Sequence, residues 1–289
     1  MDQLPIIKSS SRFLSSDITL PGFGYNDLDP QERTTFHAMA KCAEAARVMT
    51  YRGPDWLIKK NEEKSASTIF KDPNYLFFVK SCYYDIYPAF FDYKHLYKPI
   101  KCISSIVNQG ETSFQHMNEV ASLPTKQVLF RCVIRIVKVS KDTRRPASLS
   151  AEKLFQGTIH EGRTCVVPKM DKLVVPEGSF RVHLVATWND CDNYKHVNHG
   201  SFLKFCQGAA EQLKWSEDIS CYDSSHVRAV NSTHHAEASP GHELTVSVWN
   251  KGQQICFDIF NDTSQKTAYQ ATFDLASPEL TSMATAAHL

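Results

Sequence analysis

Residues 188–205 read WNDCDNYKHVNHGSFLKF. Two carboxylates, Asp190 and Asp192, and two histidines, His196 and His199, stand immediately before a segment with helical periodicity. Phe202, Phe205, Cys206, Ala209 and Leu213 recur at spacings of three and four, which puts them on one apolar stripe of a helix. Asn198 is a residue type that caps helices, because its side-chain oxygen accepts a main-chain N–H of the first turn. From spacing alone the polar run reads three ways: a surface turn, a metal site or an acid/base site.

The pattern has an earlier copy. Residues 25–47, YNDLDPQERTTFHAMAKCAEAAR, align without gaps to residues 188–210. Asn26, Asp27, Asp29, Lys41 and Ala46 recur as Asn189, Asp190, Asp192, Lys204 and Ala209, and Phe36, Met39, Ala40, Ala43 and Ala46 form a stripe in the same phase. Strand-like runs follow each helix: 75–86, 101–107, 111–120 and 127–140 in the first half, and 227–238, 243–249, 254–261 and 267–275 in the second. A further run, 180–187, precedes the second Asp-x-Asp. Gly110 and Gly252 each sit between two such runs, where hairpin turns belong. Each half is therefore one helix plus an antiparallel sheet, an α+β class. The expected organisation is a flexible N-terminal tail over 1–17, a first unit over 18–140, a polar linker over 141–178 and a second unit over 179–289. The run KKNEEKSAS from Lys59 reads as a solvated insertion.

Composition narrows the function classes. A length of 289 residues with 42% apolar and 22% charged residues is that of a globular chain with a sizeable core. A net charge of +1 and no long basic run give no reason to expect nucleic acid. No apolar stretch is long enough to suggest a membrane span, and the N-terminal residues lack a signal-peptide core, although their Ser-rich, basic character leaves a presequence as the alternative to a flexible tail. Nine scattered cysteines without a CxxC pair read as reduced intracellular thiols. Ala287-His288-Leu289 fits the small–basic–Leu logic of a peroxisomal address, so the expected compartment is cytoplasmic or peroxisomal.

The chemistry expected at the helix start follows from its unpaired N–H groups and partial positive charge, which suit a carbonyl oxygen that becomes an oxyanion. Val197, His199 and Gly200 lie close to those N–H groups. Asp192 is placed to orient or deprotonate a water, or to attack directly, and His196 to carry a proton or polarise the carbonyl. His196, His199, His234 and His235 lack a recognised ligand spacing, so no metal is expected.

The stretch DCDNYKHVNHGSFLKF resembles the D-x-D-x-x-x-H-V-N-N-x-x-Y signature of the hot-dog-fold thioesterases, both the 4-hydroxybenzoyl-CoA thioesterase-like and the acyl-ACP thioesterase-like groups. The resemblance implies two tandem hot-dog units, each a long helix wrapped by an antiparallel β-sheet, forming an internal pseudo-dimer, as in plant-type acyl-carrier-protein thioesterases. KDTRRPASLS after the first repeat is similar to their inter-repeat stretch. The resemblance implies catalytic roles for Asp192, His196 and Asn198, and for Glu237 on the following strand. Two positions depart from the signature: His199 replaces its second Asn, and Tyr194 stands where acyl-carrier-protein thioesterases often carry an active-site Asn. In the first repeat Asp29 is kept, while Arg33 and Thr35 replace the His and Asn, so one competent site is expected. Arg33 then binds a phosphate or pairs with Asp29, and Arg144 and Arg145 are candidates for the phosphates of coenzyme A or are merely solvated.

The function implied is acyl-thioester hydrolysis, on acyl-CoA first and acyl-ACP second, with no cofactor beyond the coenzyme A of the substrate. The alternatives are a non-catalytic acyl-CoA-binding or scaffolding protein, and an enoyl-CoA hydratase, whose D-x-N-P-L-H motif is not matched. Further homo-oligomerisation is compatible with the resemblance.

Overall fold

The computed structural model describes residues 7–10, 15–52, 72–149, 167–217 and 222–276. The insertion at Lys59, the centre of the expected linker and the C-terminal Ala287-His288-Leu289 lie outside these residues. The chain divides into two compact units, Met1–Pro168 and Lys169–Leu289.

The first unit has strands β1 (Ile7–Ser10), β2 (Ser15–Leu20), β3 (Tyr75–Ile86), β4 (Ile100–Gln109), β5 (Ser113–Ser122) and β6 (Val128–Ser140), and one long helix, α1 (Phe36–Arg52). The strands pair antiparallel in the order β1-β2-β4-β5-β6-β3. The second unit has β7 (Phe180–Val185), helix α2 (His199–Glu217), β8 (Val227–His234), β9 (Glu243–Lys251), β10 (Gln254–Asn261) and β11 (Lys266–Leu275), in the order β8-β11-β10-β9-β7. Apart from β1 the two orders are the same, so the repeat seen over one loop and helix extends through the whole unit. Each is a hot-dog unit.

Local sequence accounts for the elements. All ten stripe residues of the two helices are buried, and α1 packs on β2, β4 and β5 while α2 packs on β7 and β9. Phe202 lies parallel to Tyr269 of β11, with ring centroids 4.9 Å apart, and both are fully enclosed. Gly110 and Gly252 sit in the β4–β5 and β9–β10 turns, and Gly252 has the positive φ of 64° that favours glycine.

Two expectations need correction. The supposed tail over 1–17 contains β1 and the start of β2, whose Ile18 and Leu20 are core residues. β1 is short and β2 opens on two serines, so pairing rather than periodicity makes these first residues strand, whereas Asp17–Leu20 alternates between part-exposed and buried. The ends of the supposed linker are also packed. Pro146 bridges Val139, Leu149 N–H donates to Glu111 O at 2.6 Å, and Val167 joins Val107, Met117 and Val133 in an apolar cluster. In the second unit, the Leu173 main chain exchanges two hydrogen bonds with the Gln270 amide.

Between α1 and its sheet the first unit buries a polar network. The Tyr51 hydroxyl hydrogen-bonds His116 Nδ1; His116 Nε2 lies 2.9 Å from Ser104 Oγ and 3.0 Å from Asn118 Oδ1. Asn118 Nδ2 donates to Ala43 O at 3.1 Å, which turns its oxygen toward the imidazole. Nε2 must then be the donor and Nδ1 the acceptor. A serine against an imidazole suggests a nucleophile and its base, but the nitrogen facing Ser104 carries the proton, and both side chains are sealed from solvent. Burial, reinforced by the Arg47 cation and only partly offset by Asn118, pushes His116 down from 6.5 to about 3. The folded protein thus refuses a proton that the unfolded chain accepts below pH 6.5. The stability this contributes is present above that pH and is lost progressively as the pH falls from 6.5 toward 3, by about 2 kcal/mol at pH 5. Urea unfolding of wild type and His116→Gln at pH 7.5 and pH 5 should show the variant losing about 2 kcal/mol less over that interval.

Candidate functional site

The site region of the second unit is the loop joining β7 to α2. Its anchor is Asp190, buried to 3% exposure. Oδ2 accepts from Thr187 N at 2.9 Å and from Thr187 Oγ1 at 2.6 Å, while Oδ1 takes the Lys204 ammonium from α2. Burial alone raises such a carboxyl, but Lys204 and the Thr187 donors outweigh it and hold Asp190 below its ordinary range. Beyond the anchor, Cys191 and Val197 face each other as an antiparallel bridge, and Asp192 N donates to His196 O at 2.8 Å. Lys195 adopts a left-handed φ of 63° to close the turn.

Asp192 works inside this turn. Its Oδ1 accepts from Tyr194 N at 2.8 Å and, at a longer 3.4 Å, from His196 N. The first unit repeats the arrangement contact for contact. Leu28 bridges Thr34, Asp29 N donates to Arg33 O at 2.8 Å, and Asp29 Oδ1 accepts from Gln31 N and Arg33 N at 2.9 Å each. Glu32 takes the left-handed φ of 60°. Of the two roles expected for Arg33, the structure realises the pairing with Asp29, at 3.1 Å. Asp29 and Arg33 therefore hold their own loop.

Asn198 caps α2: Oδ1 accepts from Gly200 N at 2.7 Å, and its carbonyl accepts from Ser201 N and Phe202 N. Its own N–H donates to Asp190 O at 2.8 Å, as Thr35 N–H does to Asp27 O at 2.9 Å in the first unit. The carbonyl-oxygen role expected of the backbone at Val197 and Gly200 is corrected by these bonds. Val197 N–H goes to Ala238 O at 2.8 Å, and the Gly200 N–H is taken by the cap.

Two further contacts tie the helix start to the end of β8 and to the segment that follows it. His196 Nε2 lies 3.3 Å from Glu237 Oε2, with the imidazole mostly enclosed and the carboxylate reaching solvent. His199 Nδ1 lies 3.0 Å from His234 Nε2. Asp192, His196 and Asn198 thus lie on the β7–α2 loop and His199 on the first turn of α2, while Glu237, expected on the following strand, lies in the segment after it, because β8 ends at His234. Arg144 and Arg145 belong to the first unit, in the exposed turn after β6, with the Arg144 guanidinium 5.5 Å over the Phe78 ring. Sequence reasoning weighed His234 only as a metal ligand. Its pairing with His199 depends on where β8 ends against β11, which no local pattern shows. Among the described residues no three His, Cys, Asp or Glu side chains are grouped to hold a metal ion, and no helix is long and apolar enough to cross a membrane.

Replacing Lys204 by Met leaves the buried Asp190 charge with only the Thr187 donors. We expect a loss of about 1–2 kcal/mol, moderated because the ammonium is half exposed, measured by urea unfolding at pH 7. In the wild type the contribution of Asp190 is present above pH 3.8 and lost as the pH falls through the depressed carboxyl range.

No protein-family model matches the sequence, and no curated protein matches it at a significant level. Solved structures do. The 12:0-ACP thioesterase from Umbellularia californica superposes with a TM-score of 0.69 at 14% identity, over 91% of this chain and 94% of that one. An acyl-ACP thioesterase from Bacteroides thetaiotaomicron gives 0.64 at 12% identity, over 91% and 98%. At such identities the likeness establishes the fold, two tandem hot-dog units.

Proposed function

We propose that the second unit hydrolyses acyl thioesters, with acyl-CoA as the substrate and coenzyme A leaving as the thiol. The observation that carries this reading is the 3.3 Å contact between His196 and Glu237, held beside Asp192 at the start of α2. Hydrolysis needs a group that takes a proton from water, next to a fixed place for the acyl carbon. Glu237 reaches solvent and can meet a water, while the enclosed imidazole fixes its orientation. Asp192 gives one oxygen to main-chain N–H groups, and a carboxylate stabilised in that way is a weaker nucleophile. This favours attack by water over an anhydride on Asp192, which holds the loop and His196 in register.

In the balanced step the water oxygen bonds the acyl carbon and Glu237 receives its proton. The C–S bond then breaks with its electron pair on sulfur, and the thiolate recovers the proton. Coenzyme A enters only as part of the substrate. The likeness to two structures named for acyl-ACP supports the thioester class and makes an acyl carrier protein the competing carrier.

The test is free-thiol release from a panel of acyl-CoA and acyl carrier protein substrates. We expect release from acyl-CoA, with His196→Ala and Glu237→Gln each lowering kcat by about 10²-fold or more. Asp192→Asn should also lose activity, through disorder of the turn. Release from the carrier protein alone replaces the carrier in this reading. Saturable acyl-CoA binding without thiol release identifies a binding protein, and hydration of an enoyl-CoA without thiol release identifies a hydratase; either result overturns it.

A further inference from the structure

The backbone donors that a helix start offers to a carbonyl oxygen are largely committed in this loop. The N–H groups of Val197, Asn198 and Gly200 bond Ala238 O, Asp190 O and the Asn198 side chain. A tetrahedral intermediate still needs a donor aimed at its oxygen, and a histidine N–H can supply one. His199 is the first residue of α2, at the helix end that carries the partial positive charge, and its ring lies 5.3 Å from that of His234.

Its ring is held from behind. His234, the last residue of β8, pairs in register with Tyr269 of β11. The His234 ring meets Tyr269 edge-on at 4.8 Å and Phe202 edge-on at 5.5 Å. Those two rings are themselves stacked and buried, so the imidazole rests against a wall that does not yield. The link from His234 Nε2 to His199 Nδ1 has one bridging proton, because one nitrogen must donate and the other accept. When His234 donates, neutral His199 carries its proton on Nε2 and is a hydrogen-bond donor there.

We propose that His199 Nε2–H is the donor to the thioester carbonyl oxygen, and that His234 is a positioning residue that sets the His199 tautomer. The inference rests on the thioesterase reading and divides the labour between two links, one to the end of β8 and one to the segment after it. The His196–Glu237 contact serves the water and the His199–His234 contact serves the carbonyl oxygen. As the water oxygen bonds the acyl carbon, the carbonyl π pair moves onto oxygen and the Nε2–H hydrogen bond strengthens without proton transfer. When that pair returns, the C–S bond breaks and the thiolate leaves.

The test compares wild type with His199→Ala, His234→Phe and His234→Gln. It uses acyl-CoA turnover and two non-hydrolysable acyl-CoA analogues, a trifluoromethyl ketone and a thioether. The ketone presents a tetrahedral oxygen, whereas the thioether has no oxygen at that position and reports only that the binding site is intact. His234→Phe keeps an aromatic ring against Tyr269 and Phe202 but cannot donate. It should lower kcat and ketone affinity by about 10²-fold while thioether affinity and KM stay within about threefold. His199→Ala should behave alike. His234→Gln, whose amide can donate to Nδ1, should recover to within about tenfold of wild type. Equal weakening of both analogues means a structural role and overturns the proposal, as does unchanged ketone affinity in His234→Phe. A wild-type protein that releases no thiol and binds neither analogue defeats the thioesterase reading itself, a result distinct from either of these.

Discussion

The candidate site depends on one buried carboxylate. Asp190 receives the main chain and hydroxyl of Thr187 at the exit of β7 and the ammonium of Lys204 from within α2; its carbonyl takes the N–H of Asn198. Strand, loop and helix thus meet at one residue. An enclosed charge is costly unless its partners are all in place, so the arrangement disfavours every loop conformation that would leave Asp190 under-paired. With the loop fixed, His196 and His199 have little choice about the side of the helix start from which they emerge. The Val197 to Ala238 hydrogen bond then brings them to the segment that follows β8.

The two copies of the loop separate architecture from chemistry. Asp29 and Asp192 each accept main-chain N–H groups of their own turn, and each turn closes with the same bridge and the same left-handed residue. A carboxylate that recurs with the same partners in a unit without the histidine is part of the fold. At the position of His196 the first unit has Arg33, whose guanidinium closes back on Asp29. That charge is paired within its own turn. In the proposed reading the chemistry lies with residues of the second copy: His196, His199, His234 and Glu237.

The helices, most strands and the two glycine turns were legible because periodicity and turn chemistry are local. The cap at Asn198 was legible for the same reason. The strand β1 and the start of β2 were not, since serine-rich segments of four to six residues carry no periodic signal and are strands only through their neighbours. The commitments of the backbone donors were equally hidden. Which carbonyl faces Val197, and which imidazole faces His199, depends on where β8 ends, and that register is a tertiary fact. The network of Tyr51, Ser104, His116 and Asn118 draws on one helix and two strands far apart in sequence, so no short motif announces it.

The interiors of the two units differ in a way that bears on where a reaction can be supported. Between α1 and its sheet the first unit places hydroxyls, an amide and an imidazole, every one of them bonded to another. Such a network specifies a single packing, but a substrate group entering it would have to break hydrogen bonds that nothing else can replace. The second unit instead lines the face beneath α2 with aromatic rings: Phe202 on Tyr269, and Phe257 on Phe273 at 4.6 Å. Rings gain stability from contact alone and do not require hydrogen-bond partners within the core. The imidazole of His234 lies at that margin, braced by apolar walls and bonded outward to His199. A reacting group requires a rigid support, and in the proposed reading the aromatic wall behind His234 supplies it.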